Sequence, residues 1–221
     1  MFNKSFLYIS ALFFLTACGV SENSLPIILP QNYSATQIGV TVMQTTKKHQ
    51  IGDEFLIAPS IKSSWGVAHN IELGLKTFGL GLGSEIRYQF YTSQTFTALA
   101  GAEADFSFPM MGHLFSRYAP INQELIDFIS NSFYFVGGKV QFGFPIDNIL
   151  LGLYYKGGYL DNAYFLPDMG TSTETSFPGY VSLISFALFF REDPKTHVSL
   201  GLETGYALPM GLWYISGSYS F

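Results

Sequence analysis

His197 and Ser199 stand two residues apart in a stretch where apolar and polar side chains alternate. On an extended strand that spacing puts both on one face, the placement a general base and a hydroxyl nucleophile need. Glu203 follows on the same stretch, about 13 Å from Ser199 at the rise of a strand, which is far for a third member. His49 with Asp53, and His113 with Asp105 or Asp161, fall near segment ends and form a second set of base and acid candidates. No spacing of His, Cys, Asp or Glu matches a metal site, so neither a metal nor another cofactor is expected. The run Gly79-Leu80-Gly81-Leu82-Gly83 has no strand-to-helix unit around it and is not a phosphate loop.

The elements that must hold these residues are read from composition and period. The chain of 221 residues suits one domain. Charged residues make up 12%, about half of the roughly 25% usual in soluble domains. Aromatics reach 17%, glycine numbers 22, and mean hydropathy is +0.24. After the N-terminal region no apolar run is long enough for a spanning helix. High hydropathy without such a helix is expected of a sheet that is apolar at every second position and faces lipid on that side. The net charge is −5 and Lys47-Lys48 is the only adjacent basic pair, which argues against nucleic-acid binding.

Residues 1–4 carry one positive charge and 5–15 are apolar, the layout of a signal peptide too short to span. Leu15-Thr16-Ala17-Cys18 resembles the lipobox of bacterial lipoproteins, which implies acylation of Cys18 as the first mature residue. Ala17-Cys18-Gly19 also suits ordinary signal-peptidase cleavage after Gly19. Cys18 is the only cysteine, so no disulfide is expected within the mature chain. The expected division is a signal peptide over 1–17, a periplasmic tether over 18–35, and a barrel over 36–221.

Ten alternating segments follow: 36–46, 53–64, 70–78, 80–91, 95–108, 132–144, 149–160, 179–190, 196–206 and 210–221. Eleven residues of tilted strand cover roughly 28 Å of membrane normal, which matches the apolar band of a membrane barrel, about 25 Å tall. Turn-like connections at 66–69, 92–94, 145–148 and 191–195 share one end, and the long loops 109–131 and 161–178 share the other. The expected fold is an all-β, antiparallel up-and-down transmembrane barrel of ten strands, eight or twelve being the other even counts the pattern admits. A soluble antiparallel sandwich is the competing fold. Ile121, Leu125, Phe128 and Ile129 recur at helical spacing after Pro120, so a short loop helix is expected there.

Faces follow from the period. Leu82, Ile86, Tyr88 and Phe90 oppose Glu85, Arg87 and Gln89, and alanines at 98, 100, 102 and 104 oppose Glu103 and Asp105. The apolar set must face lipid, because a mid-membrane Arg or Lys costs roughly 2–4 kcal/mol. Glu54, Glu72, Glu85, Glu103, Asp105 and Glu203 then line the lumen with Lys62, Lys76, Arg87, Lys139 and Lys156. Such near-balance in a narrow lumen predicts a salt-bridged plug; the sharper alternative is a polar conduit for small solutes or ions, with inward glycines leaving it room. Segment 181–190 is apolar on both faces and its orientation stays open. Trp65, Phe90, Phe108, Phe133, Phe190 and Trp213 suit interfacial girdles.

The ending Trp213-Tyr214-Ile215-Ser216-Gly217-Ser218-Tyr219-Ser220-Phe221 resembles the C-terminal strand of bacterial outer-membrane β-barrels. That resemblance implies a Gram-negative outer-membrane location, contact with outer-membrane lipid, and recognition of Tyr219 and Phe221 by the barrel-assembly machinery. His197-Val198-Ser199 is similar to the His-x-Ser motif of outer-membrane lipid A deacylases, but Leu200 stands where that motif would have a polar Asn. Omptin-type proteases share only the strand count, since their paired acidic motifs are absent. The leading expectation is a non-enzymatic barrel, a narrow porin-like channel or a structural surface protein. Surface binding or adhesion through the long loops, and a lipid-directed hydrolase, are the alternatives.

Overall fold

A computed structural model describes residues 24–45, 55–78, 81–107, 133–162, 179–192, 198–208 and 211–221. Ten strands run in chain order: β1 (Ser34–Thr45), β2 (Phe55–Ala68), β3 (Ile71–Phe78), β4 (Gly81–Thr92), β5 (Thr97–Ser107), β6 (Phe133–Ile146), β7 (Ile149–Asn162), β8 (Gly179–Arg191), β9 (Ser199–Leu208) and β10 (Leu212–Ser220). Each pairs antiparallel with its sequence neighbours, and β1 pairs with β10, closing a barrel. Closure leaves no strand edge unpaired. The seam runs in register from Gln37↔Ser220 to Thr45↔Leu212, and Thr36 and Phe221 exchange two backbone hydrogen bonds of 2.9 Å at its end.

The barrel is apolar outside and charged inside. Ile215 is 65% exposed on the outer wall and Phe186 61%, whereas Glu85 on the inner wall is 5% exposed and Lys139 3%. This is the reverse of a water-soluble barrel, and it excludes the sandwich. The orientation of β8, open from the sequence, is settled by burial. Leu183, Ser185, Ala187, Phe189 and Arg191 point in, while Tyr180, Ile184, Phe186 and Phe190 point out.

Two short turns are tighter than expected. β2 continues to Ala68 past a bulge between Gly66 and Ala68, and only His69-Asn70 separates it from β3. Asn70 takes a φ of 68°, a left-handed position that Asn tolerates. Gly66 is therefore not a turn glycine. A Cβ there would lie 2.6 Å from the Leu29 carbonyl oxygen, so glycine is required by the N-terminal segment crossing over it. β6 likewise extends through Ile146, and Asp147-Asn148 alone turn the chain, with Asp147 at a φ of 50°.

The largest departure concerns the tether. Ser24, Leu25, Pro26 and Leu29 are buried, and the segment lies across the barrel end from which β1 starts. Its apolar side chains account for this: Leu25 joins Leu150, Tyr154, Ala187 and Phe189 in one cluster, with Ile27 packed against it. The inner face of β8 is apolar because it receives this segment.

The closing register is open to a direct check. In a Cys18→Ala background, Ile38→Cys and Tyr219→Cys face each other across the seam and should form a disulfide on mild oxidation. Val42→Cys with Tyr219→Cys is offset by four residues and should not. Gel mobility without reductant reads both.

Candidate functional site

The inward charges form one connected network from β2 to β7. Period 2 places them, since Glu72 and Lys76, Glu85 and Arg87, and Glu103 and Asp105 sit at even spacing on β3, β4 and β5. Yet the ladder sets like charges directly opposite: Lys62↔Lys76, Glu85↔Glu103 and Lys139↔Lys156. Glu72↔Arg87 is opposed with opposite sign, but directly opposed like charges destabilise a sheet, so the contacts that offset these three pairs must be diagonal or cross the lumen.

They are. Lys139 Nζ lies 2.5 Å from Glu85 and 3.3 Å from Glu103, bridging the opposed acids. Glu85 also meets Lys62, and Arg87 Nε at 3.4 Å. Lys76 Nζ is 2.8 Å from Asp105 and 3.4 Å from Glu103. Lys156 pairs with Glu103, lies 3.8 Å from Asp105, and sits 4.6 Å over the Phe135 ring. Arg87 pairs with Glu72 and donates to Gln141 Oε1 at 3.1 Å. Every carboxylate here has at least two cationic or N–H partners, as buried charges require.

The inward glycines do not leave open space. A Cβ on Gly74 would lie 2.7 Å from Glu85 Cγ, and one on Gly83 would lie 2.7 Å from Lys76 Cε. These glycines make room for the charged side chains of the next strand, which corrects the expectation of space for solute. Gly81, Gly101, Gly152 and Gly201 are likewise approached by Phe78, Lys139, Tyr154 and Phe189.

The N-terminal segment lies beneath this network and is bonded to it. Arg87 Nη1 donates to the Leu25 carbonyl at 2.8 Å, and Leu29 N–H donates to Glu72 Oε2 at 3.0 Å. Thr97 Oγ1 donates to the Pro26 carbonyl at 2.6 Å, Tyr154 O–H to the Ser24 carbonyl at 2.8 Å, and Ile28 N–H to Gln89 Oε1 at 3.2 Å. Lys62 reaches Ser24 Oγ. A cavity of about 30 Å³ remains between the segment and the wall near Gln37, Ser64 and Ser220.

Of the residues expected in the lumen, Lys62, Glu72, Lys76, Glu85, Arg87, Glu103, Asp105, Lys139 and Lys156 come together in this network. Glu203 points inward on β9 and accepts a 2.5 Å hydrogen bond from Tyr214 O–H. Glu54, Cys18, His49, Asp53, His113, His197 and the loop helix around 121–129 lie outside the described residues. Ser199 points inward, 2% exposed, opposite Arg191 and Ser220. Leu200 points outward at 54% exposure. Glu203 is four residues along from Ser199 and engaged by Tyr214, so these two are not brought together. Sequence reasoning missed Gln141 and Tyr154, which share the inward period with the charges. It also missed segment 24–29, whose signal was an apolar run, Ile27-Ile28-Leu29, inside a stretch read as a polar tether.

No protein-family model matches the chain, and no curated protein matches its sequence. Solved structures do resemble its fold. The outer-membrane protein Ail of Yersinia pestis, in a phospholipid bilayer nanodisc, is 13% identical over 86% of this chain and 100% of its own, with a TM-score of 0.36. An outer-membrane channel from Pseudomonas putida F1 is 7% identical over 88% and 97%, with a TM-score of 0.44. The KdgM porin is 11% identical over 84% and 99%, with a TM-score of 0.34. No residue role transfers at these similarities.

Lys139 bridges the two opposed acids, Glu85 and Glu103. Lys139→Gln should lower unfolding stability by about 3–5 kcal/mol, the range for removing one partner of a buried pair. Adding Glu85→Gln should recover part of that loss, by about 0.5–3 kcal/mol relative to additivity. Urea titrations of the refolded barrel measure both, and strict additivity would contradict the network.

Proposed function

We propose that the chain is a bacterial outer-membrane β-barrel whose lumen is held shut, a non-enzymatic structural surface protein that presents its long connections to the outside. The carrying observation is the burial and cross-pairing of the inner-wall charges above the N-terminal segment. A water-filled lumen would leave these side chains exposed, and Glu72, Glu85, Arg87, Glu103, Asp105 and Lys139 are each at most 5% exposed. The apolar outer wall supports the membrane setting, since apolar area of this extent is unstable in water.

Topology supports the orientation. Connections 108–132 and 163–178 leave the barrel end opposite the start of β1, and the short turns at 69–70 and 147–148 lie at the other. Bacterial barrels place short turns in the periplasm and long loops outside. A surface role then rests with the loops, where binding residues generally sit on a rigid scaffold. The hydrolase reading has no described constellation behind it, because Glu203 is committed to Tyr214.

Planar-bilayer recording of the refolded, heat-modifiable protein tests this reading. The expected result is a folded barrel without discrete conductance steps; reproducible steps from the unaltered chain would favour a conduit.

A further inference from the structure

The inner wall has two unlike halves. β2 to β7 carry the charged network, whereas β1, the C-terminal half of β10 and the adjoining edge of β2 present neutral hydroxyl and amide groups, with Tyr214 and Leu212 buried further along β10 and Tyr214 bonded to Glu203. Gln37 Nε2 donates to Ser218 Oγ at 3.1 Å, and Thr41 Oγ1 donates to Ser216 Oγ at 2.9 Å. Ser64 and Ser220 complete this strip. Such groups both donate and accept, so they exchange hydrogen bonds readily with water or with hydroxylated molecules.

The segment closing this side is built differently from the wall. Residues 24–29 belong to no strand. Pro26 lacks an N–H, and the described backbone bonds of the segment run to side chains: Glu72, Gln89, Arg87, Thr97 and Tyr154. Water can replace those partners on both sides if the segment leaves, while the barrel ladders stay intact. The cavity of about 30 Å³ lies where the segment meets the wall, bounded by Ser24, Leu25, Ile27 and Leu29 on one side and on the other by Gln37, Ser64 and Ser220 together with the charged Lys62, Glu72 and Arg87. It exceeds what one water needs, roughly 10–15 Å³.

We propose that residues 24–29 are a releasable gate over a hydroxyl-lined passage along β1 and β10, suited to water and small uncharged hydroxylated solutes. This rests on the membrane-barrel reading above, and it adds a closed and an open state. Among the described residues, the ion pairs of Lys76, Lys139 and Lys156 with Glu85, Glu103 and Asp105 make no contact with the segment and stay paired in both, whereas Lys62, Glu72 and Arg87 exchange their bonds to the segment for water.

Thiol protection tests it. In a Cys18→Ala background, Ser218→Cys is made with the segment intact and with 24–29 deleted, and the folded barrels in detergent micelles are treated with a water-soluble thiol reagent. A gate open in ~0.1–10% of molecules slows modification about ten- to a thousandfold, which deletion should relieve. A synthetic peptide of residues 24–30 should restore protection to the deleted barrel. Equal rates with and without the segment would overturn the gate. Leu25→Asn with Ile27→Asn serves as the second variant. Failure of both to fold would show the segment to be structural core and overturn releasability. Glycerol-driven swelling of liposomes holding the deleted barrel reads the passage itself, and no swelling despite fast thiol modification would overturn the solute assignment. Failure to enter liposomes at all contradicts the membrane reading instead, because the thiol rates are read in detergent.

Discussion

Charges on the inner wall of a narrow barrel have no bulk water to solvate them, and the interior of this protein is organised around that constraint. A ten-stranded wall is too tight for a wide aqueous channel. Each inward Lys, Arg, Glu or Asp therefore needs an opposite charge within reach across the lumen. The ladder register makes this harder, because it sets Glu85 beside Glu103 and Lys139 beside Lys156. Lys139 reaches both acids, and Lys156 reaches Glu103 and Asp105, so the alternation of sign is restored in space although it fails along the ladder.

Other features follow from the same constraint. Glycines at 74 and 83 stand beside Glu85 and Lys76, since a Cβ would displace the side chains that complete the ion pairs. Where the wall is apolar, at Ala187 and Phe189 of β8, it receives Leu25. Arg87 joins the two regions, bonding Glu72 in the network and the Leu25 carbonyl in the N-terminal segment. Loss of order in either region would thus be felt in the other.

Much of the barrel was legible in the sequence because a period of 2 is a geometric necessity of strands. The strand count and the inward placement of Lys62, Glu72, Lys76, Glu85, Arg87, Glu103, Asp105, Lys139, Lys156 and Glu203 all followed from it. What remained hidden depended on contacts between distant positions. Gly66 looked like a turn residue, because no local pattern reveals that Leu29 and Pro30 cross over it. Segment 181–190 looked ambiguous, because its inner face is matched to Leu25, more than 150 residues earlier in the chain. Inward glycines suggested space, because most of the side chains that fill it come from neighbouring strands.

The central claim is that the lumenal ammonium groups are dry and paired. Side-chain nitrogen NMR of the protein in lipid nanodiscs addresses it without altering a residue. Slowly exchanging Nζ protons are expected for Lys62, Lys76, Lys139 and Lys156, with through-space correlations to the carboxyl carbons of Glu85, Glu103 and Asp105. Ammonium protons that exchange at the rate of free lysine, without such correlations, would contradict it and indicate a lumen filled with water.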